Sequence, residues 1–236
     1  MTWPVRISAR WTLLTFLACA LSLPTLASDF SRHAVRCDQR DMDYVVYVPP
    51  GAATGLLPVL VLLHGAGDQA ENFIRAWSLA QKKQIVLIAP QLPRDPTLEP
   101  HIPKILPCLV DDARKQASVD SHRIYLFGYS MGGYLAYDGA LLDSDYFAAA
   151  IHAMGIADEF APIVQRATRK IPIAISIGDR DQMVSLAQVR RTRDLLQRSG
   201  FRVQYQEIFD HSHNYYEMSD TINNDVWRFL EAYRLP

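Results

Sequence analysis

One serine of this sequence stands in the setting that a nucleophilic serine requires. Ser130 is the centre of a G-x-S-x-G motif, between Gly128 and Gly132, with an apolar run before it and an amphipathic stretch after it. On a sharp strand-to-helix turn a serine needs glycine neighbours, and the helix start presents backbone N–H groups to a developing oxyanion. The pattern therefore predicts a nucleophile. Serine is also common as a helix N-cap, and this is the alternative role for Ser130.

A nucleophilic serine needs a base to accept its proton and a carboxylate to orient that base. Two segments that each follow an apolar, strand-like run offer these groups. One contains Asp179 and Asp181, and the other contains His211 and His213. Both lie just past the expected C-terminal ends of strands, where an open α/β sheet builds its site. The residues alone leave the choice within each pair open.

A third segment, which begins at His64 and reads HGAGD, follows the apolar run PVLVLL. An H-G-x-G loop in this position supplies a second backbone N–H to the oxyanion. We expect His64 to hold this loop by hydrogen bonds rather than to act as a base. The histidines without such a placement, which we expect at the surface or in packing roles, are His33, His101, His122 and His152.

Strand-like and helical patterns alternate along the chain and must position these groups. Strands are predicted at 43–48, 58–63, 85–89, 123–128, 148–154, 171–178 and 202–209. Helices are predicted at 70–83, 108–117, 131–142, 159–168, 186–199 and 216–233. This alternation predicts the α/β class, with a mainly parallel sheet and helices on both faces. The proline-rich stretch 91–107 is predicted to be a loop at the rim of the site.

The motifs HGAG, GYSMGG, GDRDQMV and DHSHNYY together resemble those of the α/β-hydrolase superfamily. Within it, the chain is similar to the lidless serine esterases related to polyhydroxyalkanoate depolymerases, feruloyl esterases and S-formylglutathione hydrolases. The resemblance implies an α/β-hydrolase fold without a cap domain. It also selects Asp181 in G-x-x-D-x-x-V as the acid and His213 in H-x-Y-Y as the base. By the same resemblance, the backbone amides of Ala66 and Met131 form the oxyanion hole.

The N-terminal segment has the pattern of a secretory signal peptide. Residues 1–10 carry two arginines and no acid, an apolar run follows, and small residues precede Ser28. We therefore expect residues 1–27 to be removed and residues 28–236 to form one catalytic domain, secreted or periplasmic. The apolar run is shorter than the roughly 20 residues of a membrane span, so we expect no stable membrane insertion. The sequence around Cys19 fits a lipoprotein cleavage box poorly.

The composition and the motifs limit which ligands and cofactors the protein is expected to bind. The formal net charge of −1 gives no electrostatic support for nucleic-acid binding. The chain has neither the cysteine and histidine spacing of a zinc site nor a nucleotide-binding glycine loop after its first strand, so we expect no cofactor and no metal. Cys37 and Cys108 both remain after removal of residues 1–27, and since export would place them in an oxidising compartment, we expect them to form a disulfide.

These observations predict an exported serine hydrolase that cleaves small-molecule or polymer-linked carboxylic esters through Ser130, His213 and Asp181. The alternatives on the same three residues are a thioesterase or lysophospholipase and a peptidase. A further alternative is a catalytically inactive hydrolase fold that serves in binding.

Overall fold

An eight-stranded sheet forms the centre of the molecule. The structure, a computed structural model, describes residues 30–51, 55–143, 146–156 and 161–235. The strands lie in the order β1-β2-β4-β3-β5-β6-β7-β8. β1 pairs antiparallel with β2, β2 pairs antiparallel with β4, and every other pair is parallel. The strands are β1 Phe30–Cys37, β2 Arg40–Tyr47, β3 Leu57–Leu63, β4 Val86–Pro90, β5 Val119–Tyr129, β6 Ala148–His152, β7 Ile173–Gly178 and β8 Val203–Ile208.

Helices cover both faces of this sheet. Their bounds are α1 Ala70–Arg75, α2 Leu79–Lys83, α3 Ile102–Ala113, α4 Met131–Leu142, α5 Ala161–Arg166, α6 Leu186–Arg198 and α7 Ser219–Leu230. Buried side chains of α3, α4, α5 and α6 form a core on one face, and those of α1, α2 and α7 form a core on the other. The predicted mainly parallel sheet with helices on both faces is confirmed.

The burial of each strand follows its place in the sheet. Every residue of the central strands β3 and β4 is buried, as their uninterrupted apolar sequences require. The edge strands β1 and β8 instead alternate between more and less exposed positions. The parallel strands β3, β5, β7 and β8 all point in the same direction. The loops that follow them therefore converge at the carboxyl-terminal end of the sheet.

The prediction of a loop over residues 91–107 is wrong. A 3-10 helix spans Pro96–His101, and α3 begins at Ile102 and runs to Ala113. Pro96 and Pro103 stand in first turns, where a proline costs little because the first N–H groups have no partner within the helix, while Pro100 and Pro107 lie inside their helices. The side chain of Asp95 also caps this 3-10 helix by accepting a hydrogen bond from the amide of Thr97 at 2.8 Å.

The segment between β6 and β7, where a cap could be inserted, contains little structure. Its described residues, 153–156 and 161–172, hold only the short helix α5. No helix in the described ranges is long and apolar enough to cross a membrane. The expected signal peptide at 1–27, Cys19 included, lies outside the described residues.

A disulfide joins the first strand to a helix on one face of the sheet. Cys37, the last residue of β1, is bonded to Cys108 in α3, with an S–S distance of 1.99 Å and a Cα–Cα distance of 5.9 Å. This confirms the pairing expected from the sequence.

The last described residues of the chain are held against the beginning of β5. Arg234 forms an ion pair with Asp120 at 2.9 Å, and the amide of Leu235 donates to the carbonyl oxygen of His122 at 2.8 Å. The hydroxyl of Tyr125 donates to the carbonyl oxygen of Tyr233 at 2.7 Å. The C-terminal segment is thus attached where β5 begins, at the end of the sheet opposite the one where β5 ends.

Candidate active site

Ser130 occupies the sharp turn between β5 and α4. Its backbone has φ 52° and ψ −122°, a left-handed conformation that costs a non-glycine residue energy. The neighbouring glycines make the turn possible. A Cβ on Gly128 would lie 2.2 Å from the carbonyl oxygen of Gly132, and one on Gly132 would lie 1.9 Å from that of Leu63. The motif therefore forms the tight turn that its sequence predicts.

His213 connects this serine to a carboxylate. Its Nε2 lies 3.0 Å from Ser130 Oγ, and its Nδ1 lies 2.7 Å from Asp181 Oδ2. Because an ionised carboxylate only accepts hydrogen bonds, the proton is on Nδ1 and Nε2 is free to accept from the serine hydroxyl. The hydroxyl of Tyr129 donates to the carbonyl oxygen of His213 at 2.9 Å and holds its loop in place.

The two candidate acids differ sharply in their surroundings. The side chain of Asp181 is fully buried, with an exposed fraction of 0%. Its Oδ1 accepts hydrogen bonds from the amides of Met183 and Val184, both at 2.8 Å, which leaves Oδ2 directed at His213. Asp179 is exposed in the preceding turn. The structure thus brings Asp181, and not Asp179, to the histidine.

The second histidine of the pair belongs to the framework. His211 is buried, and its ring lies 5.7 Å from that of His152, another buried histidine. His152 Nδ1 lies 2.7 Å from Ser176 Oγ, and the carbonyl oxygen of His152 accepts a hydrogen bond from the amide of Ser130. Burial lowers the pKa of His152 to about 3. His152 is therefore neutral and supports the turn through its carbonyl oxygen; its burial confirms the expected packing role.

The loop after β3 approaches the serine from the other side. Ala66 is exposed in this loop, and Met131 is the first residue of α4, where a backbone N–H has no partner within the helix. Gly65 packs on Tyr129, since a Cβ there would lie 3.0 Å from the ring. The structure therefore places both expected oxyanion donors in segments that adjoin Ser130.

His64 holds this loop, as expected from the sequence. Its Nδ1 donates to the carbonyl oxygen of Gly65 at 2.8 Å, and its Nε2 accepts from the amide of Leu92 at 3.0 Å. Both ring nitrogens are thereby occupied within the protein. Burial lowers the pKa of His64, so the ring stays neutral. It has no free nitrogen to serve as a base.

A shallow cleft opens beside His213. Among the residues that line it are Tyr129, Gln182, Met183 and Asn214. The side chain of Met183 is 77% exposed, which is unusual for so large an apolar group. These residues lie within the motifs GYSMGG, GDRDQMV and DHSHNYY, but no pattern in the sequence assigns them to a cleft. Within the described ranges, no group of three or more His, Cys, Asp or Glu side chains could hold a metal ion.

Comparison with known proteins places the chain among hydrolases. The sequence profile of the dienelactone hydrolase family matches residues 82–229. No curated protein matches the sequence. A thermostable esterase of known structure, 20% identical, aligns with a TM-score of 0.70 over 87% of this chain. This chain covers 63% of the length of that esterase.

Two further solved structures are similar in fold. An S-formylglutathione hydrolase from Agrobacterium tumefaciens is 19% identical, with a TM-score of 0.66, over 88% of this chain and 95% of its own. Est1E from Butyrivibrio proteoclasticus is 15% identical, with a TM-score of 0.68, over 85% of this chain and 98% of its own. At these identities the likeness shows the fold, which is that of the α/β hydrolases.

Proposed function

Because this chain belongs to the dienelactone hydrolase family and is a carboxylic ester hydrolase, we propose that it cleaves its substrate through an acyl-enzyme on Ser130. One observation carries the proposal: Ser130 Oγ, both nitrogens of His213 and Asp181 Oδ2 are joined by distances of 3.0 and 2.7 Å. This is the arrangement that a serine needs to become a nucleophile at neutral pH.

In the acylation step, His213 Nε2 takes the proton of Ser130 as Oγ attacks the carbonyl carbon of the ester. The ester oxygen becomes an oxyanion, which accepts hydrogen bonds from the backbone amides of Ala66 and Met131. Asp181 stays ionised and stabilises the imidazolium that forms. Its two backbone hydrogen bonds keep its free oxygen on Nδ1, so the imidazole holds the correct orientation.

The tetrahedral intermediate then collapses as His213 returns its proton to the leaving alcohol. The bond between the carbonyl carbon and the alcohol oxygen breaks, and the acyl group remains on Ser130. Water then attacks this acyl-enzyme, with His213 as the base, and releases the carboxylic acid.

The test is hydrolysis of p-nitrophenyl butyrate together with labelling by a fluorophosphonate probe. Ser130→Ala should abolish labelling and lower kcat by about four to six orders of magnitude. His213→Ala should lower kcat similarly, since residues that act as a unit cost nearly the same when removed singly. Ser199→Ala, which alters a serine at the end of α6, is the matched control and should behave as wild type. Full activity or full labelling of Ser130→Ala would exclude the mechanism.

We also infer that the enzyme is exported as one catalytic domain of residues 28–236. The basic start, the apolar run and the small residues before Ser28 support this proposal. N-terminal sequencing of protein recovered from the periplasm or medium of an expressing bacterium should begin at Ser28. Retention of Met1 on protein that stays in the cytoplasm would contradict it.

A further inference from the structure

The loop that carries Ala66 ends in a carboxylate with two separate sets of partners. Asp68 Oδ1 accepts hydrogen bonds from the amide of Gln69 at 2.8 Å and from the side chain of Asn72 at 3.2 Å. These bonds hold the carboxylate to the beginning of α1. Asp68 Oδ2 instead accepts a hydrogen bond from the hydroxyl of Tyr216. One residue of the oxyanion loop is therefore attached to a distant part of the chain.

Tyr216 follows His213 by three residues and lies in the 3-10 helix Tyr215–Met218, which begins directly after the loop of His213. Its amide donates to the side chain of Asn214 at 3.2 Å, which fixes the backbone directly after the histidine. Its ring packs on that of Tyr215, which is buried and itself donates to Asn223 at 2.7 Å. The hydroxyl of Tyr216 thus extends from a rigid support. Burial and the Asp68 carboxylate raise its pKa, so it remains a donor.

We infer that the hydrogen bond between Tyr216 and Asp68 is a positioning device for catalysis. In the described part of the chain, it is the side-chain hydrogen bond that joins the loop of the oxyanion donor Ala66 to the segment that carries His213 and the 3-10 helix after it. The two loops follow different strands, β3 and β8, which lie four places apart in the sheet. The bond fixes the separation between the oxyanion donor and the base, although neither of its residues touches the reacting atoms.

The inference rests on the proposed function, because a fixed separation matters only if both loops act on one tetrahedral intermediate. An oxyanion donor stabilises the transition state more than the bound ester. Loss of the bond should therefore lower kcat and leave KM unchanged. Because the donor remains present but less well placed, we expect a loss of about tenfold, smaller than the 100- to 1,000-fold typical of removing such a donor.

The experiment compares Tyr216→Phe with Tyr44→Phe, using p-nitrophenyl butyrate. Tyr44 is a matched control, because its hydroxyl also donates to an aspartate, Asp112 in α3, away from the serine. Tyr216→Phe should lose about tenfold in kcat at constant KM, with its folded state verified by thermal unfolding. Tyr44→Phe should keep the wild-type kcat. An unchanged kcat in Tyr216→Phe, or a change confined to KM, would overturn the inference.

A double-mutant cycle separates the bond from other effects of either residue. Asp68→Ala also loses the contacts to α1, so it should be the more damaging single change. If Tyr216 acts through Asp68, adding Tyr216→Phe to Asp68→Ala should cost no further activity. If the loss of kcat in the double variant equalled the product of the two single losses, Tyr216 and Asp68 would act independently. Failure of the proposed function would be distinguishable, because Ser130→Ala would then remain active whatever Tyr216→Phe does.

Discussion

Asp179 and Asp181 show at the scale of single residues how surroundings separate two identical side chains. One is exposed in a turn, while the other is fully buried and holds the histidine with the oxygen that its backbone contacts leave free. Without its negative charge, Asp181 could neither stabilise the imidazolium nor keep the proton on Nδ1. Asp181→Asn should therefore lower kcat by about 10,000-fold.

Steady-state kinetics on the same butyrate ester measures this effect. Asp179→Asn provides the control and should retain the wild-type kcat, since its side chain is exposed and away from the histidine. If Asp179→Asn lost as much kcat as Asp181→Asn, the assignment of the acid to Asp181 would be wrong.

The glycines around Ser130 give a prediction about folding rather than chemistry. Because a Cβ at position 132 would meet the backbone of β3 at 1.9 Å, Gly132→Ala forces the start of α4 away from the sheet. We expect it to destabilise the protein by about 3 kcal/mol or more, or to prevent folding. Gly55→Ala is the control, because a Cβ there meets nothing within 4 Å. Urea unfolding measures both, and equal midpoints would contradict the prediction.

At the site, the sequence predicts the features that neighbouring residues encode. It does not predict the contacts that form only when distant segments come together in the fold. The turn at Ser130 is encoded by adjacent glycines, so its residues could be named without a structure. The choice of His213 over His211 needed a family resemblance, because both follow the same strand. The bond from Tyr216 to Asp68 has no sequence signal, since it joins residues 148 positions apart through the fold alone.

At the scale of elements, helix α4 carries an unusual buried acid. Asp138 is 2% exposed, and no donor among the described residues reaches its Oδ2. Burial, with a smaller effect of Glu99, raises its pKa to about 7. In the unfolded chain the carboxyl ionises near its ordinary value of 3.8. Between these two values the folded protein keeps a proton that the unfolded chain has released. Stability therefore falls as the pH rises, and the fall ends above the folded pKa.

Asp138→Asn should remove this pH dependence. The free energy of unfolding of the variant, relative to wild type, should increase by up to about 4 kcal/mol between pH 4 and pH 7. Urea unfolding at several pH values provides the measurement. Asp111→Asn, which alters an exposed carboxylate on α3, should keep the wild-type profile. Parallel profiles for Asp138→Asn and wild type would show that the buried carboxyl does not titrate in this range.

The elements themselves could be predicted where their hydrophobic pattern is strong. The apolar strands β3, β4 and β7 are near the expected positions, because they are buried on both faces. The sequence pattern does not predict β1, since an edge strand with alternating exposure resembles a polar segment. The predicted helix over 70–83 is two helices, α1 and α2, because the chain turns at residues 76–78. Proline content misled the prediction over 91–107, where prolines lie within helices rather than excluding them.

At the scale of the whole molecule, the disulfide closes a long segment that includes β2, β3 and β4. Cys37 and Cys108 are 71 positions apart, and closing a loop of that length in the unfolded chain contributes about 4 kcal/mol of stability. Adding a reductant should lower the free energy of unfolding by about this amount. The double variant Cys37→Ser/Cys108→Ser should show no response to reductant. Titration of the unreduced, unfolded protein should find neither of these thiols free.

The attachment of the C-terminal segment to the beginning of β5 determines how the molecule would face a surface. Ser130 lies past the opposite end of that same strand, so the C-terminal segment and the serine are separated by the length of β5. An enzyme immobilised on a solid support through a tag after the last residue should therefore present its cleft to the surrounding liquid, where substrate arrives by diffusion.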